Sequence, residues 1–266
     1  MILKRRVSLG GVQLDELDDR IIITGIDESA GKESITGVAS AYGPGQRITN
    51  MRRETLDVTV KFAMRIKNDD MAGRAELLEA VNAWAAPGGW LKVGYRPNRR
   101  LNVILAQAPG GGDMFTWNSE FSLTFRAYSV PYWADTIDTT AESGSKANGS
   151  MSIDVPGSAN TVANVTVANM SGSTINHVKL TVAGKVIEFN SLSMTGSESL
   201  VIDHVQNSKI FYFRSRCGTS DSMRSVMKRR TAESADDFTV SPGITSVAWE
   251  ADRAVKVTVK VRGRYL

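Results

Sequence analysis

The residues that could do acid–base or metal chemistry are few in this chain, and they stand in no recognised arrangement. There are two histidines, His177 and His204, and neither belongs to an H-x-x-x-H pattern or stands beside paired cysteines. Asp203 directly precedes His204, so in a strand the two side chains would point to opposite faces. No G-x-S-x-G segment completes a hydrolase triad. The sequence therefore predicts neither a metal site nor a serine hydrolase.

Two other segments invite a catalytic or phosphate-binding interpretation, and both fail on detail. Gly31-Lys32 resembles the end of a phosphate-binding loop, but Glu33 replaces the required Ser or Thr, and the spacing back to Gly25 is one residue too long. Asp236 and Asp237 lie in polar sequence, where a general acid would lack the apolar pocket that raises its pKa. We therefore predict that the chain is not an enzyme and binds no cofactor or metal.

Composition indicates an ordinary globular protein. The 266 residues are 42% hydrophobic and 23% charged, which is typical of globular domains. Cys217 is the single cysteine, so an intramolecular disulfide is excluded and a free structural thiol is expected. We expect a soluble protein without membrane insertion, because no apolar run reaches the ~18 residues of a membrane span or forms a signal peptide. The net charge of +4 is dispersed, which does not favour sequence-specific nucleic-acid binding.

The chain is organised around residues 56–128, where two long alternating runs enclose one helical pattern. Apolar and polar residues alternate from Leu56 to Lys67, and the same alternation extends from Phe115 to Ala127. A period of two is the signature of a strand with one buried face. Between the runs the sequence predicts a helix, because apolar residues fall at helical spacing at Leu77, Leu78, Val81, Trp84 and Ala85. Asn68, Asp69 and Asp70 are candidate N-caps, and Pro87-Gly88-Gly89 is the stop signal.

Shorter elements surround this body. Residues 5–25 are predicted to form a hairpin, with Gly10-Gly11 at the turn and the isoleucines at 21–23 in the returning strand. Residues 26–54 are polar and spaced by glycines, so we expect a projecting arm or a long loop. Two short strands are predicted after the helix, on either side of a turn at residues 96–99.

The second half of the chain differs from the first in composition and in the spacing of its apolar residues. Residues 134–150 are rich in Thr, Ser, Gly and Ala, which predicts a linker or a crossing at a sheet edge, and we place the boundary between domains 1–133 and 134–266 there. Short apolar runs with turn residues between them then recur at 162–167, 175–182, 186–189, 200–202, 210–213, 244–249 and 255–261. This spacing predicts a β-sandwich or jelly roll of antiparallel strands.

One charge cluster is conspicuous, formed by Arg224, Lys228, Arg229 and Arg230. It is either a solvated loop or a docking site for an acidic partner surface, and aromatic residues that would stack on nucleic-acid bases are absent from it. A β-sandwich also raises carbohydrate binding. Trp249 is the only tryptophan in the C-terminal half, and the consecutive aromatic residues at 211–213 alternate between faces, so this alternative is less favoured.

The order of elements carries a family resemblance. The sequence resembles the distal tail proteins (Dit) of long-tailed bacteriophages and related prophages. In the first half the resemblance lies in the strand at 53–67, the helix end Ala80-Val-Asn-Ala-Trp-Ala86, the restart at Trp90-Leu91, and the segment Glu120-Phe-Ser-Leu-Thr-Phe-Arg-Ala-Tyr-Ser-Val-Pro-Tyr-Trp133. In the second half it lies in Leu200-Val-Ile-Asp203, Phe238-Thr-Val-Ser-Pro-Gly243 and Arg262-Gly-Arg-Tyr-Leu266.

This resemblance implies a mainly β protein. The first domain would be a tail-tube-like β-sandwich or barrel with one α-helix, and the second a galectin-like β-sandwich. It also implies a hexameric ring at the virion tail tip, made in the host bacterial cytoplasm. The ring would join the tail-tube protein to the tail-associated hub protein, anchor receptor-binding proteins and let DNA through its lumen. The alternatives are a tail-tube or other baseplate ring protein and a carbohydrate-binding module. The arm at 26–54, with Tyr42, Arg47, Arg52 and Arg53, is the candidate contact to a neighbouring subunit.

Overall fold

The structure is a computed structural model that describes residues 6–29, 33–39, 46–67, 70–110, 120–206 and 211–266. It confirms the mainly β fold class. The described residues group into two compact units. The first runs through Trp133, and the second comprises Ala134–Gln206 and Phe211–Leu266. Each unit has its own set of buried apolar side chains.

The elements of the first unit are strands β1 Val7–Leu9, β2 Val12–Gln13, β3 Ile21–Glu28, β4 Glu33–Ala39, β5 Gln46–Arg53, β6 Leu56–Met64, β7 Gly89–Val93, β8 Arg99–Gly110 and β9 Glu120–Ala127, with helix α1 Met71–Ala85 and a short 3-10 helix Leu14–Glu16. The later elements are β10 Trp133–Asp135, β11 Thr139–Glu142, β12 Lys146–Val155, β13 Thr161–Asn169, β14 Val178–Val182, β15 Lys185–Phe189, β16 Ser199–Gln206, β17 Phe211–Gly218, β18 Met223–Ser225, β19 Thr239–Val240, β20 Gly243–Val261 and β21 Arg264–Tyr265, with a 3-10 helix Met227–Arg229.

The main sheet of the first unit has the strand order β2-β1-β7-β8-β9-β6-β3. The predicted alternation of β6 is confirmed, because its apolar residues are buried and its polar residues face outward. Phe62 of β6 stands opposite Phe121 of β9, and their ring centroids lie 5.8 Å apart. The first half of β8 pairs with β7 and the second half with β9, with register shifts in the second half. The two amphipathic strands therefore lie side by side in one sheet, with β6 next to the edge strand β3.

Helix α1 begins and ends where its sequence signals stand. The carboxylate of Asp70 accepts a hydrogen bond of 2.9 Å from the backbone N–H of Gly73, which is an N-cap. The helix ends before Gly88, which has a φ of +65° and whose missing Cβ makes room for β8. Trp84 lies edge-on to Phe125 of β9, at 5.9 Å between ring centroids. The predicted helix, N-cap and stop are thus confirmed.

The N-terminal hairpin differs from the predicted one. Gly10-Gly11 makes the turn, but the returning strand is β2, directly after it. The isoleucines at 21–23 belong instead to β3, which pairs with β6. The prediction was wrong because a strand rich in isoleucine forms its ladder wherever its apolar face is buried, and β6 offers a longer partner than β1.

The second unit is built on β20, which has nineteen residues and serves two layers. Its first half pairs with β12 on one side and β14 on the other. Its second half pairs with β11 and β13. The hydrogen-bonded strand order through β20 is β15-β14-β20-β13-β16-β17-β18. Inward side chains of both layers form one apolar core.

Two predictions for this half need correction. The runs at 244–249 and 255–261 were expected as separate strands, but they are one continuous strand. The residues predicted as a linker or edge crossing contain β11 and the start of β12, both paired with β20. Small polar residues suffice in these strands because most of β11 and of the first part of β12 is only half-buried or exposed.

We predict that Gly218→Ala destabilises the second unit. Gly218 ends β17 at a φ of +154°, and an added Cβ would overlap with the backbone carbonyl oxygen of Ser222. The substitution should lower the free energy of unfolding by about 2 kcal/mol or more, since backbone would have to move. Urea unfolding measures this loss. Gly144→Ala is the matched control, because nothing lies within 4 Å of its added Cβ; an equal loss in both variants would contradict the prediction.

Candidate interaction surfaces

Strands β4 and β5 form a two-stranded hairpin, here called the arm, that pairs with no other described strand. Ile35 and Val38 on β4 are 57% and 58% exposed. They are three residues apart in one strand, so they lie on opposite faces of the arm. The arm therefore presents an apolar side chain on each face. This structure occupies only part of the predicted region 26–54, because residues 26–28 complete β3.

The base of the arm is tied to the main sheet by two hydrogen bonds between Ser29 and Asp57. The N–H of Ser29 donates to the carbonyl oxygen of Asp57 at 2.9 Å, and the N–H of Asp57 donates to the Ser29 hydroxyl at 2.9 Å. The Asp57 carboxylate in turn accepts two hydrogen bonds of 2.6 Å from the guanidinium of Arg126 on β9. The chain thus leaves the sheet at a fixed point before it enters the arm.

Glu28 is the most connected residue at this base. Its carboxylate accepts hydrogen bonds from Arg96 at 3.0 and 3.1 Å, from the indole N–H of Trp133 at 3.1 Å, and from the hydroxyl of Tyr95. The Arg96 guanidinium also lies over the Trp133 ring, 5.2 Å from its centroid. Burial, and then the hydrogen bond to Glu28, raise the pKa of Tyr95. One carboxylate thus joins the end of β3 to the β7–β8 turn and to the start of β10.

A bulge places Glu28 in this position. Between Ile23 and Gly25 the register of β3 against β6 shifts by one residue. Glu28 therefore stands opposite Val58, which belongs to the buried parity of β6, while Asp27 faces outward and pairs with Lys61 at 2.8 Å. Sequence reasoning missed Glu28, because simple alternation along β3 assigns it to the wet face.

The residues predicted for the arm contact differ in how much of each the structure describes. Arg53 ends β5, and its guanidinium lies 5.5 Å from the ring centroid of Tyr132, within the first unit. Arg47 and Arg52 lie in β5, but their side chains are outside the described part of the structure. Tyr42 lies wholly outside the described residues, as does the Gly31-Lys32 pair. Their role in a subunit contact stays a prediction.

The predicted basic cluster divides into two pairs. Arg224 donates to the backbone carbonyls of Leu192 and Ser193 at 3.3 and 3.0 Å and forms an ion pair with Glu198. That hydrogen-bonded ion pair lowers the pKa of Glu198. Ser193 has a positive φ of 53°, so Arg224 holds a loop with an unfavourable backbone conformation.

Arg230 also serves the fold. Its guanidinium lies 5.0 Å from the ring centroid of Phe213 and donates to the carbonyl oxygen of Ala235. Lys228 and Arg229, in contrast, are exposed and form no ion pair with another described residue. Within the predicted cluster, therefore, these two cations are the ones available to a partner, and we call them the basic pair.

The catalytic candidates are occupied by structural contacts. His177 lies 2.9 Å from a carboxylate oxygen of Glu188. Although burial opposes it, hydrogen bonds from Lys185 and Thr239 lower the pKa of Asp237 to about 2, so this carboxyl is a poor general acid. Burial raises the pKa of Cys217. Among the described residues no group of histidine, cysteine or acidic side chains could hold a metal ion, and no described helix is long and apolar enough to cross a membrane.

The fold and these surfaces define a two-unit, mainly β protein with an exposed arm and fixed ion-pair networks. Such a fold is found in the Dit protein (gp19.1) of phage SPP1, described as a paradigm of the hub adsorption apparatus in phages that infect Gram-positive bacteria. The similarity covers 98% of this chain and 99% of that chain, with a TM-score of 0.69 and 13% identity. The chain therefore has a Dit-like fold, and the resemblance seen in the sequence is confirmed at the level of the fold.

Two chains of the phage P2 baseplate in its activated conformation are similar at lower scores. The chain from the structure with Ca has a TM-score of 0.47 and 8% identity, over 97% of this chain and 98% of that one. The chain from the structure with Sr has a TM-score of 0.44 and 6% identity, over 97% of this chain and 96% of that one. No family model and no curated protein matches the sequence.

We predict that Glu28→Gln weakens the first unit far more than Asp27→Asn does. The two acidic residues are adjacent, but the side chain of Glu28 is 18% exposed and that of Asp27 is 62% exposed. Loss of the carboxylate charge should lower the free energy of unfolding by about 2 kcal/mol, because Arg96 would remain half-buried without its anion. Asp27→Asn removes only an exposed ion pair and should change stability little.

Urea unfolding followed by tryptophan fluorescence measures both variants, because Trp84, Trp90 and Trp133 all lie in the first unit. Equal losses in the two variants would refute the assignment of Glu28 as the residue that holds the base of the arm.

Proposed function

We propose that the chain is a structural subunit of a phage tail tip or baseplate. The observation that carries this proposal is the similarity to SPP1 Dit over nearly the whole of both chains. Because the match covers 98% of this chain, it includes residues of both units. The protein would act through its shape and its interfaces, as a virion tail component.

In this role six copies would close into a ring at the end of the tail tube. A ring needs two different patches per subunit that meet head to tail and close by rotation. Strand β3 offers one of them. It is an eight-residue edge strand, and its outer edge pairs with no described strand. An open edge of this length is a ready site for pairing with another chain.

In the second unit, one edge strand of the sheet is covered by another segment of the chain. Strand β15 lies at the edge of its sheet, and residues 229–235 cover it. The N–H groups of Thr231 and Ala235 donate to the carbonyls of Glu188 and Val186 at 2.9 and 2.7 Å. Because one edge is covered by the chain itself and the other is left open, we assign β3 to the subunit interface.

The arm would extend the same interface. It leaves the sheet directly after β3 and returns at β6, so it starts beside the open edge. Ile35 and Val38 would be buried against a neighbouring subunit, and Glu28 and Ser29 would fix the position from which the arm projects. Tyr42, Arg47 and Arg52 remain candidates for the same contact.

The outward face of β6 and β9 is our candidate for the wall of the lumen. Its charged residues are paired across strands, as in Asp57 with Arg126 and Asp27 with Lys61, and the hydroxyls of Thr59 and Thr124 lie 3.0 Å apart. A surface whose charges are already paired offers few free cations to phosphates. DNA could therefore pass without being bound.

The outer partners would be the tail-tube protein, the hub protein and receptor-binding proteins, and the basic pair would dock an acidic surface of one of them. The alternative of a tail-tube or other baseplate ring protein predicts rings that stack into tubes, whereas a tail-tip ring stays single. The carbohydrate alternative is less favoured, because Trp249 is buried and its indole N–H donates to the carbonyl oxygen of Lys146 at 3.3 Å.

We predict that Ile35→Asp with Val38→Asp prevents ring formation. Two charged side chains on the arm cannot be buried against a neighbour without a large desolvation cost. The native chain should have the solution mass of six subunits in light scattering and form rings in negative-stain images, and the double variant should have the mass of one subunit.

Ile244→Asp is the control for that experiment. Ile244 is 85% exposed but lies in the second unit, so this variant should still form rings. If the native chain stays monomeric at high concentration and with tail partners, the proposed function fails. If the ring survives the arm substitutions, only the role of the arm fails.

We predict that Lys228→Glu with Arg229→Glu leaves stability nearly unchanged but impairs tail assembly in a complementation assay, because neither cation holds the fold. Arg230→Ala should instead lower the free energy of unfolding by about 1–2 kcal/mol through loss of its contacts with Phe213 and Ala235. Thermal unfolding separates the two outcomes. Normal tail assembly by the double variant would exclude the basic pair as a docking site.

A further inference from the structure

His204 stands in a stack of rings and guanidinium groups in the second unit. Its imidazole lies 5.4 Å from the Phe211 ring at an interplanar angle of 14°, and 5.3 Å from the Phe213 ring at 64°. Arg264 lies over Phe211 at 5.4 Å, and Arg230 lies over Phe213 at 5.0 Å. We call these five residues the His204 stack.

The stack joins three segments that are distant in sequence. His204 in β16 is the ladder partner of Phe213 in β17. Arg264 belongs to β21, three residues after β20 ends at Val261, and Arg230 directly follows the 3-10 helix Met227–Arg229. The imidazole thus contacts the two phenyl rings of β17, and these rings contact Arg264 of the C-terminal segment and Arg230 of the loop that covers β15.

The hydrogen bonds of His204 define its protonation. Its backbone N–H donates to the side-chain oxygen of Asn164 at 3.0 Å, and its ring Nδ1 lies 3.2 Å from the same oxygen. Because an amide oxygen only accepts, Nδ1 carries the proton and donates. Nε2 is then the unprotonated nitrogen, and it is buried without a hydrogen-bond partner among the described residues.

Proton uptake by this imidazole would carry two costs. It would add an N–H donor at a buried position with no acceptor among the described residues, and it would place a cation near the guanidinium of Arg264 and the ammonium of Lys185. Two carboxylates lie close enough to oppose this. Asp237 is already bound to Lys185 and Thr239, and Asp203 is already bound to Arg214 and Arg216.

The pKa of His204 agrees with this geometry. Burial is the largest cause and lowers the pKa from its ordinary 6.5 to about 4. The charges of Asp237 and Asp203 partly oppose the shift, and those of Arg264 and Lys185 add to it. The folded protein therefore binds fewer protons at His204 than the unfolded chain does between these two values. This residue's contribution to stability is complete above pH 6.5 and is lost as the pH falls toward 4.

We propose that the His204 stack is an acid-released latch. With a neutral imidazole it holds the β16–β17 hairpin against the C-terminal segment. Uptake of one proton at Nε2 forces the imidazole toward solvent and removes the ring on which Phe211 stacks, so that Phe211 loses its position beside Arg264. The latch is a property of the second unit alone and does not depend on the proposed function in a phage tail.

The chain has two histidines, so an NMR titration of the imidazole signals on the native protein tests this directly. His177→Phe leaves the His204 signal alone and thereby assigns it. That signal should keep its neutral position down to about pH 5, and the backbone signals of Phe211 and Arg264 should then change with the same midpoint. A midpoint near 6.5, or titration of His204 without a change at Phe211 and Arg264, would overturn the proposal.

A matched variant gives a second test. His204→Phe keeps an aromatic ring in the stack but cannot take up a proton. Between pH 7 and pH 4.5, the thermal midpoint of the native protein should fall by several degrees more than that of His204→Phe. If His204→Phe and the native protein lose stability in parallel, proton uptake by His204 does not release the latch. If the variant does not fold, the titration of the native protein decides.

Discussion

The bulge in β3 is the constraint on which the first unit's candidate interface depends. Thr24 is the extra residue of this bulge, and it moves Glu28 to a position opposite the buried residues of β6. There the Glu28 carboxylate accepts hydrogen bonds from Tyr95, Arg96 and Trp133. Without the bulge Glu28 would face water, and these donors would lose their common acceptor. The same shift sends Asp27 outward to Lys61. A single register change thus supplies both the anchor for the arm and one paired charge of the outward face.

In the second unit, one long strand determines the arrangement of the sheet. Strand β20 is long enough to belong to both layers, so one strand provides the centre of each layer and fixes how the layers share their core. Its outer strand β15 is then covered by residues 229–235. Arg230 belongs to the segment that covers this edge. A loop that covers an edge must itself be held, and contacts with Phe213 and Ala235 hold it.

Local patterns in the sequence predicted the elements whose causes are local. Alternation revealed β6, and a capping carboxylate with a following proline and glycines bounded α1. Partnership between strands was not predictable in the same way, because Ile21–Ile23 fit any apolar partner, and only the whole sheet selects β6. The continuity of β20 was hidden for a similar reason. The exposed charged residues Glu250, Asp252 and Arg253 interrupt the apolar alternation, although the hydrogen-bonded ladder on either side makes one strand.

The charged residues show most clearly why a site is harder to predict than a fold. Arg224, Lys228, Arg229 and Arg230 look equivalent in sequence, yet two bind backbone carbonyls and two face solvent. The difference depends on loops that come close only in the folded chain. The same holds for the two histidines, since His177 meets a carboxylate whereas His204 meets two phenyl rings. A cation whose donors already bind backbone carbonyls of its own unit would have to give up those hydrogen bonds to dock a partner, so the number of charges in a cluster overstates what the cluster can bind.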